Sequence, residues 1–197
     1  MNYLHKHPEI VILGGQVRTI DINGKALGHK LFPILNSKIK ESLYTSNPIQ
    51  HPTVIFNKKL IPKNFSWYNP TLPPAEDYDL FFRLAKYGQF HNLNKFVLKY
   101  RQYIGSSTFK NPLNTFNVTL KVRKLAITKY GYQPTFKAVL IHRLQKITIK
   151  ILPPSLIYPL YTLVRGIKSP LEQIRFLFKF VNQFPYSPRF FVQNLKA

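Results

Sequence analysis

Apolar residues along this chain change their spacing twice, and the spacing predicts the elements. Ile10-Val11-Ile12-Leu13 is a short run rich in β-branched residues, followed by Gly14-Gly15, which reads as a bend or bulge. Gln16 to Ile22 then alternates as a half-buried strand does and ends at Asn23-Gly24, a turn pair, so a hairpin is expected. Residues 29–46 are mixed and predict a helix with a loop. Asn47-Pro48-Ile49-Gln50-His51-Pro52 is rigid turn chemistry leading into a strand over Thr53-Val54-Ile55-Phe56. The four prolines of 57–75 predict a structured loop. A helix is expected from about Ala75 to Tyr87, capped by Gly88, and a strand over Phe96–Tyr103.

After Pro112 the period becomes helical. Val118–Lys129 and Lys137–Leu152 both carry apolar residues at helical spacing with Lys and Arg on other faces. In the second, Leu140, Ile141, Leu144, Ile147 and Ile151 line one side. Arg143, Lys146 and Lys150 lie away from it, and Pro153-Pro154 ends the helix.

Charge sharpens this division. The 197 residues hold 29 Lys and Arg against 7 Asp and Glu, a net charge of +22. Residues 1–94 carry +5 of it and residues 95–197 carry +17, with Glu172 the single acid of the second half. A basic half seeks a polyanion: nucleic acid, a phosphorylated small molecule or an anionic membrane. No zinc spacing, RNA-binding aromatic motif or helix-turn-helix signature supports nucleic acid. The absence of Cys excludes disulfides and thiolate metal sites, and it fits a cytoplasmic setting. The N-terminus lacks an apolar core of signal-peptide type. The charge-free stretch Ile151–Val164 contains three prolines and is too short to span a bilayer as a helix.

Against this background three of the seven acids fall within four positions, as Glu76, Asp77 and Asp79, at the mouth of an apolar run. Such a cluster can serve acid–base chemistry, since adjacent like charges raise at least one pKa. It can equally satisfy a helix N-terminus, with Asp79 paired to Arg83 one turn on.

In order along the chain come His7-Pro8-Glu9, Gly14-Gly15 and Ile20-Asp21-Ile22-Asn23-Gly24-Lys25. Then follow Asn47-Pro48-Ile49-Gln50-His51-Pro52-Thr53-Val54-Ile55-Phe56, Glu76-Asp77-Tyr78-Asp79-Leu80 and Leu98-Lys99-Tyr100-Arg101. Over roughly residues 5–110 this series resembles the second half of a family-2 glycosyltransferase, the inverting GT-A type that uses nucleotide-activated sugars. The resemblance implies an α/β fold: an incomplete GT-A-like sheet over 1–110, then a basic helical extension over 111–197.

It also implies a division of labour. The family's nucleotide-holding strand–helix unit and the metal-binding Asp-x-Asp that follows it have no counterpart here. The one Asp-x-Asp, Asp77-Tyr78-Asp79, belongs to the later acidic motif. The divalent cation, Mn or Mg, expected of the full domain therefore lacks its ligands in this sequence. A sugar donor would bind only with the missing half supplied. A second departure is Tyr103, where many members carry His.

By the same resemblance Asp77 would be the general base, with Glu76 shaping the site. His51 would contact acceptor or diphosphate, and Arg101 a phosphate; the ordinary readings are a structural hydrogen-bonder and a solvated strand end. Trp67 and Tyr68 lie where an exposed aromatic could stack on a sugar, or pack in the core. The acceptor would be a glycan or lipid-linked sugar of cell-surface polysaccharide synthesis. The alternative is a non-catalytic remnant or docking module. The basic, aromatic tail, with Phe176, Phe178, Phe180, Phe184, Phe190 and Phe191, suits an anionic membrane on the cytoplasmic side, or else a solvated bundle.

Overall fold

Strand β1 (Ile10–Ile20) runs through the middle of the sheet, and every residue along it except Arg18 is buried. A strand covered on both faces needs no alternation, which is why its first half reads as a continuous apolar run. The computed structural model that shows this describes residues 2–102 and 111–152.

β1 is one uninterrupted strand, and Gly14-Gly15 lies inside it. The neighbouring β4 (Gln89–Arg101) pairs with β1 in parallel along its whole length, and its register slips on either side of Gln16. The irregularity therefore lies in β4 beside Gln16, and Gly14-Gly15, expected to bend or bulge, stays in step with Asn92 and Leu93. A Cβ on Gly15 would sit 2.6 Å from Val97 Cγ2, and one on Gly14 would run into Asn92 Oδ1, so close approach requires both glycines.

The other edge of β1 is shared. β2 (Ala26–Lys30) pairs antiparallel with its second half through the expected hairpin. There Asp21 Oδ1 accepts the amides of Asn23 (2.9 Å) and Lys25 (2.8 Å), and Gly24 takes φ +87°. β3 (Ile55–Phe56) pairs antiparallel with Ile12 and Leu13. The result is an open, mixed, four-stranded sheet in an α/β fold.

Five α-helices accompany the sheet among the described residues: α1 (Asn2–Lys6), α2 (Asn36–Ser42), α3 (Glu76–Leu84), α4 (Pro112–Thr128) and α5 (Phe136–Ile151). Parallel pairing of β1 and β4 demands a crossover, and the chain between them supplies it with α2, a long loop and α3. One core joins these parts: Ile12 and Phe90 from the sheet, Ile39 from α2, Phe81 and Leu84 from α3, and Val122 from α4.

Several expectations shift. The helix expected within 29–46 begins only at Asn36, because residues 26–30 are taken into the sheet as β2. β4 starts seven residues before Phe96, and Tyr103 lies outside the described residues. Helix α3 stops at Leu84, and Gly88 is not its left-handed cap. A Cβ on Gly88 would lie 2.8 Å from Glu9 O and 2.9 Å from Val11 Cβ, so that glycine lets the chain pass close to β1.

On α5 the apolar side turns outward: Leu140, Leu144, Ile147 and Ile151 are exposed, while Ala138 is buried. Ala138 joins α5 to the apolar core, and His142 and Gln145, described below, add polar contacts. No helix among the described residues is long and apolar enough to cross a membrane. The Pro153-Pro154 stop and the six tail phenylalanines lie outside the described residues.

Candidate functional site

Helix α3 begins at the acidic cluster, and the helix start explains part of that cluster. The first-turn amides have no partner within the helix, and acids are favoured beside them. Asp77 Oδ1 accepts the Tyr78 amide at 2.7 Å. Among the described residues its other oxygen, Oδ2, has a long contact, 3.5 Å from Asn47 Nδ2. Burial pushes the Asp77 carboxyl above the ordinary carboxylate range and the neighbouring Glu76 charge adds to this, while His51 and the Tyr78 amide work against it. Glu76 Oε2 is enclosed and has no hydrogen-bond partner among the described residues.

The Asn47–Thr53 turn brings His51 to this place. Thr53 closes the turn, with its hydroxyl donating to Gln50 O at 2.7 Å and accepting the Gly15 amide at 3.2 Å. That couples the turn directly to the central strand. His51 Nε2 lies 3.0 Å from the Tyr68 hydroxyl, and its ring stands 6.2 Å from that of Phe81 on α3. Tyr68 is partly exposed, and its hydroxyl is pushed up by burial and by the charges of Asp77 and Glu76. Glu76, Asp77, His51 and Tyr68 thus form one electrostatically connected group, with Asn47 at its side.

Asp79 is separate from that group and fully buried. Its Oδ2 accepts Arg83 Nε at 2.7 Å, the expected i,i+4 pair, and its Oδ1 accepts the Tyr130 hydroxyl at 2.7 Å. Arg83 also donates to the carbonyls of Ser66 and Trp67, so the pair anchors the loop that carries Tyr68.

The remaining residues singled out from the sequence lie elsewhere. The Trp67 ring packs edge-on against Phe56 (5.1 Å) and Phe65 (5.6 Å), within the apolar core. Tyr68 is the aromatic of that loop that reaches the carboxylates. Arg101 sits opposite Ile20 at the far end of β1, where Nη1 donates to Asp21 O at 3.0 Å and to Ile22 O and ties down the hairpin. Six strand residues separate that end from Gly14, a distance of about 20 Å.

Sequence reasoning missed Arg123. This guanidinium is buried on α4 and has no carboxylate partner among the described residues. Nε donates to the Tyr78 hydroxyl (3.2 Å) and Nη2 to Thr45 O (2.6 Å). Nη1 donates to Gln145 Oε1 (2.7 Å) and to His142 Nδ1 (3.1 Å). Burial, with the Arg123 and Lys146 charges adding to it, pushes His142 down to about 4. The available signal was an Arg between Val122 and Ala126, on the apolar side of α4.

Among the described residues no three His, Asp or Glu side chains gather to hold a metal ion. The cluster is instead a carboxylate pair beside an imidazole and a phenol, groups suited to taking up a proton and to hydrogen-bonding hydroxyls.

No family model matches the chain. Over 138 residues it is 29% identical to the amylovoran biosynthesis glycosyltransferase AmsE of Erwinia amylovora, an alignment covering 67% of this chain and 50% of that protein. The chain spans about half the length of this relative, and the similarity relates it to a glycosyltransferase.

Proposed function

We propose that this chain is the acceptor side of an inverting glycosyltransferase of GT-A, family-2 type, and that Asp77 is its general base. The observation that carries the reading is the Asp77 carboxylate, held with one oxygen only loosely engaged and a proton affinity raised by burial and by Glu76. A base that is too acidic takes no proton from an alcohol, and a raised pKa moves a carboxylate toward the useful range. The likeness to a glycosyltransferase supports it independently.

In the proposed step the acceptor hydroxyl gives its proton to Asp77 as its oxygen attacks the anomeric carbon. The bond from that carbon to the nucleoside diphosphate breaks, and the diphosphate leaves with the bonding pair. His51 and Tyr68 hydrogen-bond the acceptor's hydroxyls, and Glu76 holds the Asp77 pKa up. The nucleotide-sugar, and the divalent cation that neutralises its diphosphate, bind a portion supplied outside this sequence. The acceptor is a glycan or lipid-linked sugar of polysaccharide synthesis, met at the cytoplasmic face of the membrane.

The test supplies a donor-binding portion, fused from the AmsE-type relative, until sugar transfer is measurable. Asp77→Asn should then lower turnover roughly 10²–10⁴-fold, the worth of a general base. Unchanged turnover in that variant would remove Asp77 from the chemistry and leave a docking module as the reading.

A further inference from the structure

Helix α5 carries a stripe of large apolar side chains that nothing among the described residues covers. Phe136 is 85% exposed, Leu140 49%, Leu144 55%, Ile147 54% and Ile151 75%. At about 100° per residue these five fall within an arc of about 80°. Buried Ala138, together with His142 and Gln145, which bond Arg123, occupies the opposite side. The stripe therefore points straight away from the body. An unbroken apolar face of this kind marks an interaction surface.

We propose that this face is a membrane-docking surface: α5 lies in the headgroup region of an anionic bilayer with the stripe turned into the acyl chains. The proposal stands apart from the glycosyl-transfer reading, because it uses none of the residues around Asp77. Charge selects the occupant. α4 and α5 contain no acidic residue. On the helical wheel Arg143 and Lys150 border the stripe on one side and Lys137 on the other, each within about 40° of its edge. Long basic side chains at that position lay their stems along apolar surface and lift their charges to the phosphates.

The competing occupants fit less well. Residues 153–197 hold six basic side chains and one acid, so that segment would bring like charge onto the helix. A second copy would oppose the same basic borders across a two-fold contact. An anionic bilayer complements both the apolar stripe and its edges.

The chain has no Cys, so a single introduced thiol reports one site. The 197-residue chain carrying Leu144→Cys, labelled with an environment-sensitive nitrobenzoxadiazole, is mixed with phosphatidylglycerol-containing or pure phosphatidylcholine vesicles. A blue shift with the anionic vesicles alone, weakened by salt and absent for a Lys59→Cys control, is expected. In flotation the Leu144→Asn, Ile147→Asn double variant should lose at least about tenfold in affinity for anionic vesicles, with an unchanged melting curve. Three results would overturn the proposal. The first is a label already blue-shifted in buffer, which means the chain's own segment covers the stripe. The second is a dimer in buffer that the double variant dissociates. The third is a double variant that floats as well as the parent.

Discussion

Arg123 Nε donates to the Tyr78 hydroxyl at 3.2 Å, and Tyr78 stands between Asp77 and Asp79. The basic second half of the chain thus reaches into the acidic motif through a buried guanidinium. The Tyr78 hydroxyl in turn donates a hydrogen bond to Leu43 O, while the other Arg123 donors hold Thr45 O and two side chains of α5. The first turn of α3, which carries Glu76 and Asp77, is fixed from behind by α4.

Removing that guanidinium should therefore cost far more than a surface charge would. Arg123→Ala takes one partner each from Thr45 O, which keeps Gln145 Nε2, and from the Tyr78 hydroxyl, which keeps Leu43 O, and it removes the donor to Gln145 Oε1; a buried group left unsatisfied costs about 1–3 kcal/mol. Arg123→Lys should recover little, because an ammonium cannot imitate a planar fork spread over four acceptors. Denaturant melts of both variants check this. If the lysine variant matches the parent, the fork geometry is irrelevant.

His142 gives the fold a pH dependence whose sign follows from its lowered pKa. In the native state it stays neutral down to about 4, whereas an unfolded His protonates near its ordinary value of 6.5. Between those values the unfolded chain binds more protons, so stability falls as pH drops from about 6.5 to about 4. His142→Gln keeps an acceptor for Arg123 and removes the titration. Its melting temperature should vary less with pH across that window than the parent's does.

Much of this arrangement was legible in the sequence, and the parts that were not share a cause. Apolar runs and turn chemistry located β1, the Asn23-Gly24 hairpin, α3 and both late helices, because these depend on local spacing. Periodicity identifies an amphipathic helix without saying which face meets the body. In α5 the apolar side with Leu140, Leu144, Ile147 and Ile151 is exposed, and the attachment runs through Ala138, His142 and Gln145. Gly88 resembles a helix cap until the nearness of Glu9 O is known, and that contact is 79 residues distant in sequence. The Asp79–Arg83 pair was readable from i,i+4 spacing. Its complete burial, and the Tyr130 hydroxyl on its second oxygen, were not.

The contrast between Asp77 and Asp79 gives the last prediction. Asp79 is fully buried and both its oxygens are engaged, by Arg83 and Tyr130. Asp79→Asn removes the charge that answers Arg83 and one acceptor, and should destabilise the protein by about 3–5 kcal/mol, as breaking a buried pair does. Asp77 behaves in the opposite way. Its carboxyl is held above the ordinary range, so the folded state binds its proton more tightly than the unfolded chain does. Such a group contributes stability that is fully present below the unfolded carboxylate pKa and is lost as pH rises through the folded value. At neutral pH the ionised Asp77 is therefore a burden on the fold, and Asp77→Asn should raise the melting temperature there. The gain should shrink as pH falls toward the carboxylate range, where the parent is protonated too. Melting curves of both variants from acid to neutral pH decide the matter. A destabilised Asp77→Asn at neutral pH would show that this carboxylate serves the helix start as Asp79 serves the core, and that the fold bears no cost for keeping a base there.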